Sequence, residues 1–109
     1  MSDSDSPKKK YCYVLRLYPA YYESSGWTDE ARETVLRHFH YLKDLAEKGT
    51  LVLAGRTVNE PMSGKDFGIA ILETFSREEA QSIMDNDPSI LGKVMYAEFF
   101  DFSLALMRK

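Results

Sequence analysis

The chain contains two histidines, His38 and His40, set in the stretch Arg37-His38-Phe39-His40-Tyr41. An imidazole ordinarily titrates at about pH 6.5, so it both takes and gives protons near neutrality. At about 100° per residue, Ala31, Val35, His38, Leu42, Leu45 and Ala46 share one helical face, and Glu33, His40, Asp44 and Glu47 lie opposite. His38 is therefore expected inside an apolar stripe and His40 in solvent. On residue type alone, an inward histidine is more often a hydrogen-bonded core residue than a reactive one.

Asp87 is the acid of interest. It precedes Pro88, which pushes it out of helical conformation, and on local grounds it simply stops a helix. Arg16 interrupts an apolar strand in which Cys12, Val14 and Tyr18 share its side, so its charge must reach solvent, an acid or a bound anion. The chain has seven tyrosines, and Tyr11, Tyr13, Tyr18, Tyr21, Tyr22 and Tyr41 suit a pocket for a planar ligand as well as a core or an interface. Of these, Tyr41, one turn beyond His38, is expected at the ligand. Cys12 reads as a small buried hydrophobe. The sequence contains no glycine-rich phosphate loop, no Gly-x-Ser-x-Gly elbow, no His-Glu-x-x-His helix and no Cys-x-x-Cys pair, so phosphoryl transfer and serine hydrolysis lack support.

These residues need elements to hold them. Tyr11 to Tyr18 is aromatic and branched and ends at Pro19, a first strand. Ala20 to Trp27 is a loop, and Thr28 with Asp29 and Glu30 opens a helix that runs to Lys48 and ends at Gly49. Leu51 to Val58 and Asp66 to Glu73 read as two more strands around a loop with Asn59, Pro61, Ser63 and Gly64. Ser76 and Glu79 form a capping box for a second helix carrying Ala80, Ile83 and Met84, and Val94 to Phe102 is a fourth strand. Ser103 to Lys109 follows as an extension. The order β-α-β-β-α-β predicts an α+β, ferredoxin-like domain, with a four-stranded antiparallel sheet and two helices on one face.

The second face raises the question of a partner. Leu51-Val52-Leu53-Ala54 and Ile69-Ala70-Ile71-Leu72 are apolar at consecutive positions, so both sides of these strands are apolar. A second copy packed sheet to sheet is expected, giving a homodimer. At 109 residues the chain holds a single domain over residues 11–109, preceded by a polar tail, residues 1–10, expected to be disordered. Fourteen Lys and Arg against seventeen Asp and Glu argue against nucleic acid as a partner. No apolar run reaches the roughly 20 residues that span a bilayer, and the N-terminus MSDSDSPKKK is polar, so the expected address is the cytoplasm with no membrane partner. A single cysteine excludes an internal disulfide.

The pattern resembles the YciI-like, or YCII-related domain, family within the dimeric α/β-barrel superfamily. The resemblance runs from Tyr11 to about Phe102. It rests on Tyr13-Val14-Leu15-Arg16-Leu17 and Pro19, on His38 with Tyr41-Leu42, Leu45 and Gly49, and on Ala54-Gly55, Gly64, Gly68, Glu79-Ala80, Asp87-Pro88 and Gly92. It implies a helix histidine and an aspartate beside a cavity at the sheet, here His38 and Asp87. The chain departs from the pattern with Arg56 where a proline usually follows Ala-Gly, with Ala20-Tyr21-Tyr22 after the first strand, and with Asp101 near the end of the last. These departures fall at expected pocket rims. The resulting expectation is an acid-base enzyme with His38 and Asp87 catalytic and Arg16, Tyr41 and Arg56 binding a small, aromatic-type substrate by elimination or isomerisation, with no metal or organic cofactor. The alternative is a binding or accessory module in which the same pair only holds the pocket together.

Overall fold

A computed structural model describes residues 8–108. Strand β1 spans Lys9–Leu17, helix α1 Asp29–Glu47, β2 Leu51–Arg56, β3 Gly68–Thr74, helix α2 Arg77–Asp85, a short helix α3 Pro88–Leu91, and β4 Met95–Phe102. Two single 3-10 turns, Pro19–Tyr21 and Ser24–Gly26, shape the connection from β1 to α1. The fold is the expected α+β, ferredoxin-like arrangement, with α3 as an added third helix.

The helix starts follow from the residues that precede them. Thr28 Oγ1 accepts the Ala31 N–H at 3.0 Å, and Ser76 Oγ accepts the Glu79 N–H at 3.0 Å. Each fills a donor that has no partner inside the helix. At the far end of α1 the chain turns at Gly49, whose φ of 81° lies in the left-handed region that only glycine enters without strain.

The sheet order is β2-β3-β1-β4, and every neighbouring pair is antiparallel. Register assigns its two faces. Tyr11, Tyr13 and Leu15 stand opposite Leu72, Ala70 and Gly68 on β3 and opposite Asp101, Phe99 and Ala97 on β4. This face meets the helices, and Tyr11, Tyr13, Leu15, Leu72, Leu45 and Met84 form its buried centre. Cys12, Val14 and Arg16 point to the other face with Ile69 and Ile71, which no helix among the described residues covers.

Several boundaries differ from the expected ones. Lys9 and Lys10 are not tail: they pair with Thr74 and Glu73, and Lys10 Nζ lies 3.1 Å from Glu73. Of the rest of the expected tail, Lys8 is exposed, with its Nζ 5.2 Å from the centre of the Phe75 ring, and residues 1–7 lie outside the described residues. Strand β3 begins at Gly68, because Asp66 folds back to hold the preceding loop, accepting from Thr57 Oγ1, Asn59 Nδ2 and the Ser63 N–H. On α1, Ala46 is exposed and Thr34 is buried in its stead, since α3 rather than the sheet covers that flank. No helix among the described residues is long and apolar enough to cross a membrane.

Candidate acid-base site

Asp87 is fully buried, and four hydrogen bonds converge on its carboxylate. His38 Nδ1 lies 2.7 Å from Oδ1, which also accepts the Ser89 N–H at 2.9 Å and the Ser89 hydroxyl at 2.8 Å. The Tyr13 hydroxyl donates to Oδ2 at 2.8 Å. Asp87 does not merely stop α2: it is the N-cap of α3, with Pro88 at the first helical position, where its missing N–H costs nothing. One carboxylate therefore starts a helix, receives a tyrosine from the centre of the sheet and holds a histidine from α1.

Protonation follows from the partners. Burial alone pushes the Asp87 carboxyl up, but the hydrogen bond and charge of His38, the Ser89 N–H and the Tyr13 hydroxyl outweigh it and hold the group below the ordinary carboxylate range. An ionised carboxylate only accepts, so Nδ1 of His38 carries the hydrogen, and Nε2 holds a lone pair whenever the ring is neutral. The same burial, with the charge of Asp87, pushes the Tyr13 phenol far up, so it stays a donor. The His38 side chain is 12% exposed and that of Asp87 0%, which leaves the imidazole as the one member of the pair that solvent reaches.

Energetics explain why Tyr13 belongs here. Burying its ring stabilises the fold by about 2 kcal/mol, a gain that an unpaired buried hydroxyl would cancel at about 1–3 kcal/mol. Asp87 is the acceptor that keeps both terms favourable. Tyr41 is similarly committed: its hydroxyl donates to the Ile83 carbonyl at 2.7 Å and ties α1 to α2. Burial, followed by the charge of Asp87, raises its phenol as well, so it lies within the field of the same carboxylate.

Thus the structure brings His38, Asp87 and Tyr41 together. Arg56 shares their side of the sheet by register, opposite Gly68, and is exposed at the end of β2. It lines a concavity of about 260 Å³ with Gly55, Thr57, Phe67 and Ile69. Arg16 is on the opposite face, its guanidinium 5.4 Å from the centre of the Phe67 ring. A second concavity, about 640 Å³, lies at the far end of the sheet between Lys8, Arg77 and Leu104. Neither is lined by His38 or Asp87. Among the described residues no three His, Cys, Asp or Glu side chains gather as a metal-binding group. Sequence reasoning missed Ser89 and the role of Tyr13. Asp87-Pro88-Ser89 carried a capping signal for the first, whereas nothing local signals a bond spanning 74 positions.

The YCII-related domain matches residues 11–102. The chain belongs to the YCII-related domain family. A solved structure similar to this YCII-related chain is 5-chloro-2-hydroxyhydroquinone dehydrochlorinase from Burkholderia phenoliruptrix AC1100, in complex with 2,5-dihydroxybenzoquinone. It aligns with a TM-score of 0.65 at 18% identity, covering 88% of this chain and 95% of the other, a likeness of fold. No curated protein matches the YCII-related chain.

Proposed function

We propose that this YCII-related protein is an acid-base enzyme acting on a small cyclic or aromatic compound, with His38 as the proton-transfer residue and Asp87 as its positioning partner. One observation carries the proposal: His38 Nδ1 is fixed at 2.7 Å on a buried, ionised carboxylate whose other acceptor sites are filled, which leaves Nε2 free to accept a proton. In an elimination, Nε2 removes a proton from the atom beside the leaving group. The electron pair becomes a double bond, the leaving group departs as its anion, and Asp87 stabilises the imidazolium that forms. In an isomerisation the same nitrogen returns the proton to another carbon. Arg56 and the aromatic edge of Tyr41 bind the substrate; Arg16, on the other face, lies apart from this site. The dehydrochlorinase of similar fold, which performs an elimination, supports the class of reaction. A second copy of the chain covers the open sheet face.

A second reading is favoured by one observation: the two concavities lie away from His38. In that reading the pair is structural and the protein binds its ligand without turning it over. Melting-temperature screens against phenols, hydroxyquinones, aromatic acids and lactones, followed by turnover assays on the stabilising compounds, distinguish the two. His38→Gln is expected to lower turnover by about 10²–10⁴-fold. Equal turnover in parent and variant overturns His38 as the proton-transfer residue, and stabilising compounds that are bound but never turned over leave only the binding module.

A further inference from the structure

We propose that Arg16 and Glu98 are a reciprocal charge pair that sets the register of two copies of the chain across the open sheet face. This deepens the dimer of the preceding section and rests on it. Register places Arg16 beside Tyr96 and Val14 beside Glu98, so the arginine and the glutamate are diagonal neighbours on β1 and β4, on the face that no helix among the described residues covers. Around them that face is apolar, and although Cys12 and Ile71 at its middle are buried, Leu53 is 47% exposed, Phe100 46% and Tyr96 40%. An exposed apolar surface of this kind marks a contact surface.

The charges on the face are uneven in their partners. Lys10 and Glu73, at one end, already pair at 3.1 Å. Arg16 lies over Phe67 with no carboxylate within 4.0 Å, and Glu98 has no cation within 4.0 Å, among the described residues. Covering the face with an apolar partner would strand both charges, and an unpaired buried charge is far more costly than a paired one. A second copy brings one of each. In a two-fold contact residue i meets residue j while j meets i, so a register that sets Arg16 of one copy against Glu98 of the other satisfies all four charges, and the register that sets Arg16 against Arg16 is repelled.

The charge arithmetic gives a test. A chain with Arg16→Glu carries two negative groups at the contact, and a chain with Glu98→Arg carries two positive ones. Each alone repels its own copy; mixed, they present opposite charges at both contacts. Native mass spectrometry of a one-to-one mixture of mass-tagged chains is expected to show the heterodimer exceeding either homodimer by about tenfold or more, and the double swap in one chain to restore the homodimer. A statistical mixture from a dimeric parent overturns the charge pair and leaves the dimer standing. Restoration by the double swap without heterodimer enrichment also overturns it, assigning the pair to the interior of one chain. A parent that weighs as a single chain overturns both. Should a swap unfold, Arg16→Gln and Glu98→Gln decide: each is expected to weaken dimerisation about tenfold with no further loss in the double variant, and additive losses overturn the proposal.

Discussion

A carboxylate with no solvent exposure persists only where donors replace its water, and Asp87 has four of them, from Tyr13, His38 and twice from Ser89. Stability is therefore expected to follow its protonation. The folded group titrates below its ordinary value; in the unfolded chain an aspartate titrates at about 3.9. The unfolded state thus binds the proton more readily, and the ionised Asp87 stabilises the fold above about pH 4, a contribution lost as pH falls through the depressed folded value. Urea unfolding between pH 7 and pH 3 is expected to show this acid limb in the parent and a shallower one in Asp87→Asn, itself about 3–5 kcal/mol less stable at neutral pH. An unchanged limb in the variant sinks the assignment. Tyr13→Phe, which withdraws one donor, is expected to cost about 1–3 kcal/mol by the same measurement. His38 was legible from its place in the apolar stripe. Asp87 was legible as a residue but not as a hub, because three of its four bonds come from groups that sequence does not join to it: one from α1, one from β1 and one from a hydroxyl with no helix yet in view.

At the scale of elements, caps and strands were legible where the signal is local, as at Thr28, Ser76 and Pro19. What escaped was the covering of α1. Helical projection assigned Ala46 to the core, yet Thr34 is buried, because α3 lies on that flank and a four-residue helix has too little periodicity to announce itself. The contact is close: a Cβ added at Gly92, the C-cap of α3, would lie 2.8 Å from Thr34 Cγ2 and 3.1 Å from the Pro88 carbonyl. Gly92→Ala is expected to lower stability by about 1–3 kcal/mol. Thr34→Ser removes the nearer atom, so the same glycine substitution should cost measurably less in that background; additive losses in thermal unfolding would show that the helices are not in contact there. Because α3 starts at Asp87, this packing also sets where the carboxylate meets His38 and so belongs to the site.

At the scale of the molecule, the clearest sequence signal was the run of consecutive apolar positions in β2 and β3, since a strand covered on one side alternates and one covered on both does not. The structure covers one side with α1 and α2 and leaves Leu53, Tyr96, Phe100 and Phe102 exposed on the other. A partner copy that binds only the folded chain stabilises it by mass action, so unfolding and dissociation are linked. For a dimer of this chain length, each tenfold rise in protein concentration is worth about 1.4 kcal/mol, or on the order of 3 °C in melting temperature. Melting curves from micromolar to hundreds of micromolar are expected to show that upward shift, and Phe100→Asp, a charge placed in the exposed row on β4, to abolish it while leaving a folded single chain. The His38 site lies on the other side of the sheet, so the Asp variant should keep its hydrogen bonds to Asp87. A parent whose melting temperature ignores concentration and whose mass is that of one chain would mean that the open face is solvated, and the dimer, with the charge pair it contains, would fall.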